Sequence, residues 1–285
     1  MNPATNPTTT NPTTTSPATT NPTMTNPTMT TGDGAMWAVR DTLAMTWRNL
    51  TTIRRVPQLL VFAIIQPSIF VLMFRYVFGG SINIPGVSYV DYLMPGIFVQ
   101  TCAFGAINTA VGLAEDKGKG LLERLRSLPM SRSAVLGGRV LADTTRNVFV
   151  VLLMLTIGYA VGFRTHTNVA MVGLGVLMLV LFGFALSWIF ALIGLAVTNG
   201  EAAQAAAFPL LAPLVFASNA FVDPSKMPSW LRGWARHQPV SAATDAVRAC
   251  MLGGPTATKV ITSLIWALGI SIVLAPIAVR RYRRV

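Results

Sequence analysis

The stretch EDKGKGLLERLRSLPMSR, residues 115–132, sets Gly118, Lys119 and Gly120 between two long apolar runs. Glycine and lysine in that order suggest a phosphate loop, in which backbone N–H groups wrap a nucleotide's phosphates, lysine reaches them and a following hydroxyl holds Mg²⁺. The spacing fails that chemistry. Five residues separate Gly112 from Gly118 where the G-x-x-x-x-G-K-[ST] pattern has four, Gly120 replaces the hydroxyl, and Glu115 and Asp116 would repel an anion. His166 and His237 are isolated and offer no metal spacing, and Cys102 and Cys250 imply no disulfide framework. No pair of carboxylates stands out as catalytic. The sequence therefore predicts no catalytic residue, no metal site and no cofactor on this chain.

As a helix the same stretch makes better sense. Leu121, Leu122, Leu125 and Leu128 form one apolar stripe, with Lys117, Lys119, Glu123, Arg124 and Arg126 on other faces. Glu115 and Asp116 are expected toward its N-terminal end and Arg124 and Arg126 toward its C-terminal end, as the helix dipole favours, and Pro129 ends it. Two readings follow: a surface helix covering one mouth of a bundle, or a docking helix for a soluble subunit.

The elements around it are membrane elements. Of the 285 residues, 52% are hydrophobic and 11% charged, and the mean hydropathy is +0.55; ordinary soluble domains are about 25% charged. Six apolar runs are long enough to be spans, at about 56–78, 93–114, 144–163, 169–197, 202–222 and 259–279. Runs of this length satisfy their backbone groups in lipid only as helices. The predicted fold is all-α and polytopic, with six transmembrane helices.

The net charge of +12 would suggest nucleic acid in a soluble protein, but its placement follows the positive-inside rule instead. Fifteen of the 22 Lys and Arg lie before the first span, between spans two and three, or after the last. Six lie on the opposite side, and Arg75 sits within the first span. Both termini are thus expected in the cytosol, and no nucleic-acid partner is expected.

Residues 6–30 are five tandem pentads of the NPTTT type without a charge, so residues 1–35 are expected to form a disordered or polyproline-like tail. From residue 36, Trp37, Leu43, Met45, Trp47, Leu50 and Ile53 alternate with arginines, the pattern of a helix lying at the headgroups.

Glu115, Gly120, Leu122, Glu123, Leu125 and Pro129, in the pattern of a glutamate, a charged cluster, a glycine and then L-E-x-L-x-x-x-P, resemble the cytosolic coupling segment of type-2 ABC transporter permeases. MPSWLRGWARHQPVSAATDAVR, residues 227–248, is similar to that family's P-x-W-L, N-P and D-A-x-R element, with Gln238 in place of the usual Asn. The resemblance covers residues 36–284 and extends to the actinobacterial daunorubicin-resistance permeases. It implies a half-transporter that pairs with a separate ABC ATPase carrying ATP and Mg²⁺, and that forms a homodimer or a heterodimer with a related permease. It implies export of an amphipathic drug or lipid across a bacterial cytoplasmic membrane, in an actinobacterium. The competing classes are an ATP-independent channel and an intramembrane enzyme; the scattering of acid, His and Cys residues over different depths speaks against the enzyme.

Polar side chains within spans are costly, which makes Gln66, Gln100, Asn108, Gln204 and Asn219 candidates for a substrate path or for hydrogen bonds between helices. Arg75 is expected to snorkel to headgroups. Gly158 and Gly162, and Gly173, Gly175 and Gly183, are expected to allow close helix packing. Pro67, Pro95, Pro209 and Pro213 are candidate hinges. Before the last span, Trp230, Trp234, Pro239, Asp245 and Arg248 mark an outer re-entrant segment of short helices, with Asp245 and Arg248 paired at i, i+3.

Overall fold

The computed structural model describes residues 31–55, 57–78, 88–126 and 132–284. The 6–30 repeats, Leu128 and Pro129 fall outside the described residues, and the side chain of Glu123 is likewise not described. The described chain is helical throughout, in ten α-helices: α1 (Thr31–Arg55), α2 (Pro57–Met73), α3 (Tyr89–Gly118), α4 (Leu121–Arg126), α5 (Arg132–Val161), α6 (Val169–Ala196), α7 (Gly200–Phe216), α8 (Ser229–His237), α9 (Pro239–Leu252) and α10 (Thr256–Arg284). A π-turn, Phe74–Phe78, continues α2, and a short 3₁₀ turn, Pro224–Lys226, precedes α8.

Helices α3, α5, α6 and α10 are each long and apolar enough to cross a membrane. The first and fifth apolar runs give shorter apolar helices, Ile64–Val77 and Gly200–Phe216. Helix starts follow from local chemistry. The side chains of Ser88, Asn168 and Asn199 accept hydrogen bonds from the free N–H groups of Asp91, Met171 and Ala202 at the starts of α3, α6 and α7. Pro239 occupies the first turn of α9, where its missing donor costs nothing.

Helix α3 is the centre of the bundle, packed against α2, α5, α6, α7 and α9. Its contact with α6 is close because Gly194 faces the Ala110 backbone, and its upper part meets the chain after α7 because Gly96 faces the carbonyl of Ala220. A side chain at either position would collide with backbone. A second apolar cluster, with Met45, Leu113, Leu122, Leu136, Trp188 and Tyr282, ties the ends of α1, α3, α4, α5, α6 and α10 together.

Several expectations change. Glu115 and Asp116 belong to the C-terminal turn of α3, not to the start of the following helix, because α3 runs unbroken to Gly118. Gly120, with φ +65°, then turns the chain before the six-residue α4. The acids thus sit at the unfavourable end of a dipole, and cations answer them: Lys119 pairs with Glu115 at 3.2 Å and Arg48 approaches Asp116 at 3.8 Å.

Arg139 and Arg146 are likewise not loop residues. Helix α5 begins at Arg132, and both side chains turn inward onto α3. Arg75 donates to the carbonyl of Val161 and lies over the Tyr76 ring, so protein groups satisfy it where lipid headgroups were expected to. Gly162 serves a turn and not helix packing. Its φ of +106° ends α5 in a Schellman motif, with Phe163 N–H bonded to the carbonyl of Gly158 and Gly162 N–H to that of Tyr159. Gly173 faces open space, whereas Gly175 meets Cys250 and Met251, and Gly183 meets Asn147 and Cys102. The helices run continuously through Pro67, Pro95, Pro209 and Pro213. Helix α1 starts at Thr31, a turn before the 36 expected.

Candidate functional site

Three regions carry the polar residues. At one end of the bundle, the ammonium of Lys117 donates to the carbonyls of Leu195 and Val197, each at 3.2 Å, and so caps the C-terminus of α6. Leu122 is buried and Leu125 half-buried against the second apolar cluster, while Lys119 and Arg124 are exposed. Helix α4 is therefore a short amphipathic helix, held by two leucines and set off from α3 by the Gly120 turn. Glu115, Gly120, Leu122 and Leu125 meet within this one end; the Glu123 backbone lies in α4, and Pro129 follows beyond the described residues.

At the opposite end, α9 is fastened by ions. Asp245 takes Lys259 at 2.6 Å, Asn219 through its amide and Arg248 at 3.6 Å. Arg248 in turn donates to the carbonyls of Tyr92 and Asn219, both at 3.2 Å, and lies 3.9 Å over the Tyr92 ring. Burial pushes its guanidinium below the ordinary arginine value, and Tyr92, Asp245 and Asp223 pull it back up. The pairing of Asp245 with Arg248 is present, but Lys259 is the closer partner. Asn219 belongs to this knot, in the turn after α7, and not to a path through the spans. Buried Asp91 accepts from the backbone N–H of Arg164, which joins α3 to the α5–α6 turn. Trp230 (78% exposed) and Trp234 stand outward on α8, and the buried side chain of Gln238 donates to the carbonyl of Ala217 just before Pro239 starts α9.

Between the two ends lies a cavity of about 420 Å³ bounded by α2, α3, α5 and α7. Gln66, Gln100, Asn108 and Gln204, picked out in three separate apolar runs of the sequence, line it together. Gln66 and Gln204 are exposed at its rim; Gln100 is buried in its floor with Arg146 and Asn147. Phe104 and Phe208, their centroids 6.2 Å apart, form an aromatic wall.

The floor rests on a buried polar network between α3 and α5. Asp143 pairs with Arg139 at 3.3 Å and accepts the hydroxyl of Thr109 at 2.7 Å. Arg139 donates to the carbonyl of Asn108 at 3.1 Å, and Arg146 to that of Gly105 at 2.8 Å. Gly105 and Gly112 make room: a Cβ at Gly112 would strike the Arg139 guanidinium, and one at Gly105 would strike Asn147. Sequence reasoning counted Arg146 as a loop charge and did not single out Asp143 or Asn147, because all three precede the apolar run that opens at Val148. The available signal was their spacing with Arg139, at i, i+4, i+7 and i+8, which is one face of a helix.

An all-helical bundle with four helices able to span a membrane, and with no cluster of metal-binding side chains among the described residues, is a polytopic membrane protein built around a cavity. The family model of the ABC-2 type transporter matches residues 40–252. The chain is 34% identical over 246 residues to a daunorubicin resistance ABC transporter permease of Streptomyces coeruleorubidus, covering 86% of this chain and 87% of that one. It is 30% identical over 254 residues to a protein of Mycobacterium tuberculosis carrying a doxorubicin resistance ABC transporter permease name, with 86% and 89% covered. A further doxorubicin resistance permease of that species is 26% identical over 188 residues, with 66% and 64% covered. The chain belongs to the ABC-2 type transporter family and is the membrane subunit of an ABC exporter.

Proposed function

We propose that this subunit moves an amphipathic drug or lipid outward across the cytoplasmic membrane of a bacterium, an actinobacterium by its excess of arginine over lysine, 18 to 4. The observation that carries the reading is the cavity, with amides and a guanidinium in its floor and two phenylalanines in its wall. An amphipathic cargo needs both kinds of surface.

In this reading six helices cross the membrane. The α2 helix and its π-turn together run 22 residues from Pro57 to Phe78, about 33 Å, and α7 with its following turn completes the fifth crossing. Withdrawing Lys117, Arg139 and Arg146 from the loop charges still leaves twelve basic residues at the α4 end against six at the α9 end. That asymmetry supports cytosolic termini and a cytosolic α4. The exposed row Val39, Leu43 and Trp47 on α1 suits the headgroup layer, and Trp230 and Trp234 suit the outer one.

A separate ABC ATPase, binding ATP and Mg²⁺, presses on α4 and the adjoining turn through Glu115, Gly120, Leu122, Glu123, Leu125 and Pro129. The push passes through the second apolar cluster to α1, α3, α5 and α10, and the cavity between α2 and α7 changes its access. The prolines of α2, α3 and α7 let these helices flex. The transporter is a homodimer or a heterodimer with a related permease.

The test is co-purification with candidate ATPases followed by cargo-stimulated hydrolysis and uptake into inverted vesicles. Replacing Glu123 and Leu125 together is expected to leave insertion intact and separate hydrolysis from transport. Coupled export unchanged by that double substitution, or no partner among all plausible ATPases, would overturn the reading. Single cysteines at Arg124 and Trp230 should react with impermeant maleimide from opposite sides of the membrane.

A further inference from the structure

The cavity floor holds more donor capacity than the protein uses. Arg146 is 6% exposed, Asn147 4% and Gln100 4%. Within this floor the Nε of Arg146 and the Nδ2 of Asn147, both donors, have no hydrogen-bond partner, although buried polar groups are ordinarily satisfied; the one unpartnered acceptor beside them is the uncharged amide oxygen of Gln100. The remaining bonds of Arg146 go to neutral acceptors, the carbonyl of Gly105 and, at 3.4 Å, the Oδ1 of Asn147. That second bond orients the Asn147 amide with its donor turned away from Arg146.

Charge points the same way. The one carboxylate nearby, Asp143, is engaged by Arg139 and by the hydroxyl of Thr109. Among the described residues no carboxylate lies within ion-pairing distance of Arg146, and no acidic side chain lines the cavity. A guanidinium and an amide donor, buried side by side without an ion-pair partner of their own, form an incomplete charge-assisted site. The Phe104 and Phe208 wall beside it offers apolar surface for whatever carries the anion.

We propose that the cavity recognises an amphiphile by an anionic head group, a carboxylate, sulfate or phosphate, seated on Arg146 and Asn147 with its apolar part against Phe104 and Phe208. This deepens the exporter reading and rests on it only in treating that amphiphile as cargo. The same geometry disfavours a cationic head, which would meet Arg146 with no carboxylate to answer it.

The experiment measures binding of radiolabelled dodecyl phosphate to the full chain in phosphatidylcholine nanodiscs, corrected for empty discs, against 1-dodecanol, dodecyltrimethylammonium and inorganic phosphate. Dodecyl phosphate is expected to bind at least tenfold more tightly than each of the other three. Arg146→Gln is expected to remove at least tenfold of that affinity. Because Arg146 also holds the Gly105 carbonyl, Asn147→Asp is the second variant: it keeps the side-chain shape, supplies Arg146 with an internal carboxylate, and is expected to keep the fold while losing the probe.

Competition by phosphatidylglycerol included in the disc would assign the head group to a membrane lipid, and lack of competition to a free amphiphile; either supports the anion site. Equal binding of dodecyltrimethylammonium or dodecanol, or undiminished dodecyl phosphate binding by a folded Asn147→Asp protein, overturns it. No ATPase and no transport enter the assay. Failure of the exporter reading would therefore leave this result standing, and coupled export without anion binding would overturn this proposal alone.

Discussion

The two ends of the bundle are held by different forces. At the α9 end, Asp245, Arg248, Lys259, Asn219 and the Tyr92 carbonyl form a directional network with several bonds per side chain. At the other end, Lys117 and Arg48 fasten the close of α3 to α6 and α1, but helix α4 itself is held by two leucines on an apolar patch after a glycine turn, and the ion pair of Lys119 with Glu115 is exposed. Apolar contacts are non-directional and let a short helix shift, whereas a network of charge-assisted bonds has one good geometry. A movable α4 opposite a clamped α9 is what the push proposed at α4 would require.

The comparison breaks first at Arg248. Arg248→Gln removes a cation that is mostly buried, bonded to two carbonyls and paired with Asp245, and is expected to cost about 3 kcal/mol. The loss should appear as a lower global midpoint in detergent thermal unfolding. Leu122→Ala at the other end is expected to cost about 2 kcal/mol. If that end moves on its own, the loss should appear as faster amide exchange in α4 more than as a lower global midpoint. A global drop equal to that of Arg248→Gln would show the two ends to be equally clamped.

Gly120→Val is a smaller perturbation. A β-branched residue at φ +65° is expected to cost about 1 kcal/mol and, by displacing α4, to reduce ATPase coupling more than thermal stability. The smallest effect concerns Asp223, whose carboxylate caps the 3₁₀ turn before α8. The Ser225 N–H holds its carboxyl below the usual range, with slight burial opposing. Its folded pKa is thus depressed, so its contribution is present above the ordinary carboxylate value, near 4, and is lost as pH falls through the lower folded value. Asp223→Asn should leave the midpoint at pH 7 nearly unchanged and flatten its decline below about pH 4.

The same contrast separates what could be read along the chain from what could not. The short helices before α10 were legible because Pro239 and the Gly253 and Gly254 turn mark their ends. The extent of α4 was not, because a helix dipole argument placed Glu115 and Asp116 at a start when they close α3, answered by Lys119 one turn on and by Arg48 from α1. Arg139 and Arg146 looked like loop charges under the positive-inside rule, which counts residues and cannot see that Gly105 and Gly112 leave room for them inside.

By itself the sequence determined the all-helical membrane class, the apolar runs and the family motifs, since lipid forces backbone groups to pair within each helix and hydropathy is a local property. Only the tertiary structure decided that Gln66, Gln100, Asn108 and Gln204 share one cavity while Asn219 joins the α9 knot. It alone decided that Arg146 and Asn147 complete the cavity floor. The physical reason is that a buried polar group's role depends on its neighbours across the bundle, and those are set by which helices pack together, not by the residues beside it in the chain.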